Sequence, residues 1–315
     1  MAQTAGVGTV WNLPNYVGEL YTADAVNTPL LSALGGLGAA MRSSNFEFPI
    51  SSEYDFPSAT QPEITETESL TAATGVDGIR TQTKNVCQPF RHGINVSYMK
   101  QAGMGRLSGI NTDGSNGNVT SEMDWQIAYG LQLIARDIEY SFLNGSYQIA
   151  TSAAVANKTR GVLEAASDAG NTDAATGAAL SSPMVNAQLK EMAENGAMFR
   201  NVVIYVNAFQ KQALTKIYGY APADRTIGGV NVERIATDFG VFPVVYNRFM
   251  AADNILFADL SVMKPVFQEV PGKGLLFFEE KSNLGAADVG ELFGLIGLDH
   301  GPGWMHGSIT GLATS

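Results

Sequence analysis

Residues 53–79, "EYDFPSATQPEITETESLTAATGVDGI", carry six carboxylates and no Lys or Arg. Thr, Ser and Ala dominate the rest of this stretch, Pro57 and Pro62 interrupt it, and no apolar periodicity runs through it. A compact domain rarely contains so long a connection without regular structure unless the connection is functional or disordered. The segment cannot be buried by its own residues, so the fold must leave it outside the core.

Two runs with strand periodicity flank this acidic segment. Phe46, Phe48 and Ile50 alternate with polar residues in 45–51, and a second alternation runs through 88–99. Alternation with a period of two is typical of a half-buried strand. The simplest arrangement is a long antiparallel hairpin that pairs the two runs and carries the acidic segment at its far end. Because an isolated hairpin is only marginally stable in water, we expect something outside the chain's own core to hold it.

The strongest helix signal lies in residues 120–145. Apolar residues there fall at spacings of 4, 4, 3, 4 and 4, which predicts one helical stripe: Met123, Ile127, Leu131, Ile134, Ile138 and Phe142. Ser121 predicts the N-cap, and Asn144 with Gly145 predicts the end. At 1.5 Å per residue, such a helix is a rod of roughly 36 Å.

The rest of the chain predicts further helices and strands in an irregular order. Two helices are predicted in "SSPMVNAQLKEMAENG" and "NAFQKQALTKIYG". Strands are predicted in "RGVLEA", "NVVIYV", "VNVERIAT", "FPVVYN", "NILFADL", "LLFFEEK" and "GELFGLIGL". Since helices and strands do not alternate regularly, the predicted class is α+β.

Composition excludes several functional classes. The net charge of -11 argues against a nucleic-acid binder, because duplex affinity comes mostly from Lys and Arg. Cys87 is the single cysteine, so no intramolecular disulfide can form, and we expect it on a half-buried strand. The first residues show neither the charged nor the apolar region of a signal peptide, and no run reaches the ~18 apolar residues of a membrane span. A soluble protein made in a cytoplasm is therefore expected.

No motif supports an enzyme. The three histidines lack metal-ligand spacing, and we expect those in "DHGPGWMHG" to be satisfied turn or surface residues. Cys87 and His92 lack a third orienting group, and "GGLGAAM" (35–41) lacks the strand and third glycine of a dinucleotide fingerprint. Glu279 and Glu280 lie on a predicted strand, where neighbours point to opposite faces. We predict no catalytic residue, no metal and no cofactor.

Five motifs occur in an order that resembles a known family. They are "IARDIEYSFLNG", "RGVLEA", "VNAQLKEMAENGAMFRNVVIYVNAFQKQALTKIYG", "ERIATDFGVFPVVYNRFM" and "GELFGLIGLDHGPGWMHGSITGLA". Across residues 40–313 the chain resembles major capsid proteins of tailed bacteriophages with the Hong Kong ninety-seven fold. The resemblance implies an N-terminal arm (1–43), an E-loop hairpin (44–102), a peripheral domain (103–178 and 258–299, with a spine helix at 120–145) and an axial domain (179–257 and 300–315).

The resemblance also implies a function. A subunit of this kind self-assembles into hexamers and pentamers of an icosahedral shell that encloses double-stranded DNA, without sequence-specific binding and without a membrane. The implied location is the virion capsid, assembled in the bacterial cytoplasm, with scaffolding, portal and decoration proteins as partners. Two alternatives are an encapsulin-type compartment shell of the same fold and a soluble enzyme with an unrecognised site.

Candidate contact residues follow from the same resemblance, because the E-loop of this family reaches over the neighbouring subunit. Three carboxylates of the hairpin tip are expected to face cations on an adjacent copy: Glu63, Glu66 and Glu68 against Arg80, Lys84, Arg91, Lys100 and Arg106. The loop "GYAPADRTIGG", with Asp224 and Arg225, resembles the loop that meets its copies at a capsomer axis. An ordinary surface loop is the alternative for that stretch.

Overall fold

The computed structural model describes residues 28–36, 40–54, 59–73, 75, 78, 80–102, 122–218, 234–282 and 285–314. The helices in these residues are α1 (Pro29–Ala33), α2 (Glu66–Ser69), α3 (Tyr98–Ala102), α4 (Glu122–Asn144), α5 (Val162–Asp168), α6 (Ser182–Glu194) and α7 (Ala208–Tyr218). The strands are β1 (Met41–Ser43), β2 (Glu47–Tyr54), β3 (Arg80–Val86), β4 (Gln88–Ser97), β5 (Thr172–Ala174), β6 (Val202–Val206), β7 (Arg234–Thr237), β8 (Gly240–Tyr246), β9 (Ile255–Asp259), β10 (Lys264–Gln268), β11 (Leu276–Lys281), β12 (Ala287–Asp299) and β13 (Gly307–Thr310). The predicted α+β class is confirmed.

A five-stranded sheet is organised around β12. On one side β12 pairs antiparallel with β4. On its other side β12 pairs antiparallel first with β11 and, further along the same strand, with β10. The short β1 extends the sheet by pairing parallel with β10. With neighbours on both sides, the backbone donors and acceptors of β12 are satisfied along most of its length.

The helix α4 covers one face of this sheet. Ile134, Ile138 and Phe142 are fully buried and belong to the same core cluster as Phe90 and Ile94 of β4. The predicted helix is therefore confirmed between residues 122 and 144, while its predicted N-cap, Ser121, lies outside the described residues. The stripe is buried most completely in its C-terminal half.

A six-stranded sheet, in the order β5-β13-β9-β6-β8-β7, forms the second layer of the molecule. Its central strands, β6 and β9, are buried at every residue. In β6, Val203 and Tyr205 join the core that contains α4. Ile204 and Val206 pack on the other side with residues of α6 and α7. Burial on both faces explains why "NVVIYV" is a continuous apolar run rather than an alternating one.

A fully buried carboxylate on α4 holds the short helix α1 against the body. The two carboxylate oxygens of Glu139 accept hydrogen bonds of 2.8 Å from the backbone N–H groups of Leu30 and Leu31. Asn247, just after β8, donates a third hydrogen bond to Glu139 Oε1 at 2.6 Å. Burial raises the pKa of Glu139, and the three donated hydrogen bonds oppose that rise. One side chain thus joins α1, α4 and the six-stranded sheet.

The hairpin that carries the acidic segment is formed by β2 and β3. These strands pair antiparallel, with Glu47 opposite Val86. The predicted partner of the first strand, 88–99, is wrong, because β4 pairs with β12 instead. Only Cys87 separates β3 from β4, so the chain passes from the hairpin into the sheet at that residue. The alternation in β4 arises because one of its faces is buried against α4. The second strand of the hairpin is the polar run "RTQTKNV".

The predicted strand in "RGVLEA" is also wrong. Residues Val162–Asp168 form α5, with Gly161 as N-cap. Val162, Ala165 and Ala166 are its buried residues, and spacings of three and four place them on one helical face. The helix is only two turns long. The six residues "RGVLEA" are too few to distinguish the period of a helix from that of a strand.

The other predicted helices and strands are confirmed with shifted ends. Besides β3, four short strands were not predicted from the sequence: β1, β5, β10 and β13, which have three to five residues each. Strands this short hold too few residues to show a period of two, and their pairing partners are distant in the chain.

Candidate interaction surfaces

The hairpin tip, defined here as residues 59–73, is exposed at every residue. It contains the single helical turn α2, which begins with a capping box. The backbone N–H of Glu68 donates to Thr65 Oγ1 at 3.2 Å, and the backbone N–H of Thr65 donates to Glu68 Oε2 at 2.9 Å. The hydrogen bonds that the backbone N–H and the hydroxyl of Thr65 donate to the Glu68 carboxylate lower the pKa of Glu68. The tip is therefore ordered by local hydrogen bonds and not by packing on its own chain.

The three predicted acidic contact residues all lie in this tip. Glu63, Glu66 and Glu68 are exposed, and none forms an ion pair with another described residue. Two apolar side chains accompany them: Ile64 is 72% exposed and Leu70 is 85% exposed. Sequence reasoning concentrated on the carboxylates and missed these two residues, although they interrupt an otherwise polar stretch.

The predicted cations lie in different surroundings. Lys84 on β3 already pairs with Glu47 at 3.3 Å, and Lys100 on α3 pairs with Glu122. Arg80 begins β3 and is exposed. Arg91 on β4 is also exposed, and among the described residues no carboxylate lies within ion-pair distance of it. Three predicted contact residues, Arg106, Asp224 and Arg225, lie outside the described residues.

The face of the five-stranded sheet opposite α4 carries two aromatic rings beside Arg91. In register across three strands lie Arg91 of β4, Phe293 of β12 and Phe277 of β11. The two phenylalanine ring centroids are 5.9 Å apart, and both side chains are only partly buried. We call this surface, with Lys273 and Lys281 at its edge, the aromatic face.

Charges and open space surround the two rings of the aromatic face. Lys273 Nζ lies 5.7 Å from the Phe277 ring centroid and pairs with Glu279. Lys281 pairs with Glu291 on the neighbouring strand. A side chain placed at Gly93 would meet no atom within 4 Å of its Cβ, so the space beside Arg91 is open.

The base of the hairpin covers the adjoining part of the same sheet face, next to Phe293. Phe48 of β2 and Leu295 of β12 are buried together in a small cluster that includes Cys87. A Cβ at Gly297 would lie 2.9 Å from the Phe48 ring, which shows how closely the hairpin approaches β12 there. Cys87 is fully buried rather than half-buried as expected, and burial raises its pKa to about 12. The thiol is thus protonated and inert, consistent with a packing role.

Two histidines lie at the junction of β9, β12 and β13, and both are buried rather than at the surface. The backbone N–H of Asp259 donates to His306 Nδ1 at 3.1 Å, and His306 Nε2 donates to the His300 carbonyl oxygen at 2.6 Å. Neither ring nitrogen of His300 makes a hydrogen bond of normal geometry with the described residues. Burial lowers the pKa of both rings, that of His300 to about 3. Both are neutral side chains of the interior.

In the described residues, no group of three or more His, Cys, Asp or Glu could hold a metal ion. None of the described helices combines the length and apolarity required to cross a bilayer.

Three solved structures share this arrangement of sheets and long helix. The capsid asymmetric unit of cyanophage A-1(L) matches with a TM-score of 0.66 and 13% identity, covering 96% of this chain and 98% of that one. The capsid of a native GTA particle matches with a TM-score of 0.56 and 14% identity, covering 99% and 100%. The SrpI encapsulin of Synechococcus elongatus matches with a TM-score of 0.58 and 11% identity, covering 96% and 93%. At these identities the likeness shows the fold alone, which is the Hong Kong ninety-seven type.

The family is shown by the sequence itself. The profile of the SU10 major capsid protein family matches residues 3–313, so the chain belongs to that family. It is a major capsid protein of tailed phages, as the resemblance implied, and a component of the virion capsid. The encapsulin likeness does not favour the alternative of a cellular compartment shell. No curated protein matches the sequence.

Proposed function

We propose that this subunit builds hexamers and pentamers by extending its hairpin tip onto a neighbouring copy. The observation that carries the proposal is the tip itself: residues 59–73 are exposed throughout, although they include two large apolar side chains. A tip that gains nothing from its own body can be buried only by another molecule. In a capsid, the nearest molecule is another copy of the same subunit.

The five-stranded sheet with α4 acts in this proposal as the peripheral domain, and the six-stranded sheet with α6 and α7 acts as the axial domain. The domain boundaries expected from the resemblance, at residues 179 and 258, fall close to the division between these two sheets in the chain. The exposed hairpin corresponds to the E-loop. The loop that includes Asp224 and Arg225 is proposed to meet its copies around the capsomer axis.

Electrostatic pairing between copies sets the position of the tip. Glu63, Glu66 and Glu68 are the acidic side of this contact, and Arg80, Lys84, Arg91, Lys100 and Arg106 are the basic candidates. Lys84 and Lys100 would have to share or exchange partners within their own chain, so Arg91 is the stronger candidate. Exposed ion pairs contribute about 0.2 to 1 kcal/mol each, and their repetition over many interfaces gives register and partner choice.

The role of the subunit is structural rather than enzymatic, in keeping with its family. The shell encloses double-stranded DNA, and the net charge of -11 fits an inner surface that repels phosphate while DNA is packaged. Assembly takes place in the host bacterial cytoplasm. Scaffolding, portal and decoration proteins are the partners that such a shell requires.

Charge reversal at the tip tests this proposal. The triple variant Glu63→Lys, Glu66→Lys and Glu68→Lys is expected to lower particle yield strongly while leaving the circular dichroism of the subunit unchanged. The matched control reverses three exposed carboxylates of the body, Asp137, Glu194 and Asp238. Particle yield is measured by sedimentation and electron microscopy. A tip variant that assembles as well as wild type would count against the contact, and equal losses in both variants would trace the effect to net charge alone.

A further inference from the structure

We infer that Ile64 and Leu70 anchor the hairpin tip on the aromatic face of a second copy, and that these apolar contacts supply more of the binding than the ion pairs do. The inference rests on the proposed function, because it requires the tip to reach a neighbouring subunit. Beyond that function, it identifies the residues that hold the tip and the surface that receives them.

The tip presents its apolar side chains ready for contact. Ile64 precedes the N-cap Thr65, and Leu70 follows the last residue of α2. The capping box fixes the turn between them, so the two side chains are held by local structure before any partner arrives. Exposed fractions of 72% and 85% leave nearly their whole surface available for burial.

The aromatic face has matching features on the body of the same chain. Phe277 and Phe293 are partly exposed rings that lie side by side on neighbouring strands. Gly93 leaves open space next to them, in register with Glu291 of β12. Apolar rings beside an open position form a surface on which a branched aliphatic side chain can be buried.

Charge favours the same pairing. The aromatic face carries three cations (Arg91, Lys273 and Lys281) and two carboxylates (Glu279 and Glu291), which leaves one positive charge uncompensated. That charge is Arg91, and the chain as a whole has a net charge of -11. The tip has no Lys or Arg within residues 53–79. The acidic tip is therefore attracted to this face, whereas the net negative charge of the chain repels it elsewhere.

The hairpin of the same chain covers only the part of this face next to Phe293. Its base packs on Leu295 and Gly297, and Phe293 contacts that cluster whereas Phe277 does not belong to it. The tip lies beyond β2 and β3, and none of its residues is buried against the described parts of its own chain. A second copy is the occupant that a capsid subunit supplies in every assembly.

Apolar burial outweighs exposed ion pairs in such a contact. Removing one buried aliphatic side chain changes an association constant by more than tenfold, whereas removing one exposed ion pair changes it by less than about fivefold. The double variant Ile64→Ser and Leu70→Ser is therefore expected to lower particle yield at least tenfold at subunit concentrations where wild type assembles. Thr67→Ser and Thr71→Ser, in the same tip, form the matched control and should leave yield unchanged. Wild-type yield from the double apolar variant would overturn the inference.

A crosslink identifies the receiving surface. Cys87 is the single native cysteine and is buried and protonated, so engineered cysteines react selectively. In assembled particles of the variant Thr71→Cys with Gly93→Cys, which keeps both anchors, a short bis-maleimide is expected to join neighbouring subunits. Thr71→Cys with Met198→Cys, which places the second thiol on an exposed residue outside the aromatic face, should give no such product.

A photoactivatable side chain at Leu70 separates the two ways of being wrong. A crosslink to residues of the aromatic face on another subunit supports the inference. A crosslink to a different surface of another subunit overturns it but leaves the proposed function intact. A crosslink confined to the same subunit overturns both.

Discussion

Every residue of β6 is buried, whereas every residue of the hairpin tip is exposed, and both segments belong to one chain. In β6 the apolar side chains alternate between two cores, so each is covered by its own molecule. In the tip, Ile64 and Leu70 have no such cover, and the order comes from local hydrogen bonds that include a capping box. The body therefore carries the stability of the subunit, and the tip carries the means to join another one.

The largest effect that separates body from tip is expected from Phe142→Ala. Phe142 is fully buried between α4 and the five-stranded sheet, so its truncation should lower the free energy of unfolding by about 3–5 kcal/mol. Leu70→Ala is the matched change in the tip and should lower it by less than about 0.5 kcal/mol. Both values come from denaturant unfolding of unassembled subunits. A similar loss in the two variants would show that the tip packs on its own body.

An intermediate effect is expected from Glu139→Gln. An amide cannot accept hydrogen bonds at both positions, so one buried N–H of α1 loses its acceptor at a cost of about 1–3 kcal/mol. Asp137→Asn, an exposed change on the same helix, is the control and should have little effect. Faster proteolysis near residues 28–36 in Glu139→Gln alone would confirm that Glu139 holds α1 in place.

The same variant predicts a pH dependence. Burial raises the folded-state pKa of Glu139 above 4.5, so the folded protein binds this proton more tightly than the unfolded chain does. Its contribution to stability is full below pH 4.5 and is lost as pH rises through the raised pKa. The unfolding free energy of wild type relative to Glu139→Gln should therefore fall over that window. A constant difference would contradict the assignment.

A separate effect on acid stability is expected from the buried His300. The pKa of His300 is lowered to about 3, first by burial, so below pH 6.5 the unfolded chain takes up a proton that the folded protein does not. The free energy of unfolding should then fall as pH drops from 6.5 toward the lowered pKa. His300→Leu should flatten this acid limb. Denaturation curves with an unchanged slope would show that His300 is protonated in the folded state.

Sequence reasoning succeeded where one local pattern was long enough to be read. The stripe of α4 repeats over six turns, and the continuous run of β6 needs no knowledge of its neighbours. It failed at β3, a polar strand with no apolar alternation, and at α5, a two-turn helix with too few residues to show a period. The pairing of β4 was misjudged because alternation indicates burial on one face and does not say which strand lies alongside.

The candidate contact residues show the same limit. The absence of Lys and Arg from residues 53–79 marked the acidic tip correctly as a segment outside the core. Which cations remain available could not be read from the sequence, because the pairs Lys84–Glu47 and Lys100–Glu122 join residues that are distant in the chain. Ile64 and Leu70 were overlooked because their exposure is known only from the tertiary structure, in which the core forms without these two side chains.

The sequence by itself determined the long helix, the buried central strands, the class of protein and the acidic segment that stays outside the core, since each depends on the order of neighbouring residues. Only the tertiary structure decided that Arg91, Phe293 and Phe277 form one surface and that Glu139 meets α1. These groups come from segments far apart in the chain, and strand pairing and helix packing bring them together. The local sequence does not show which distant segments come close together in space.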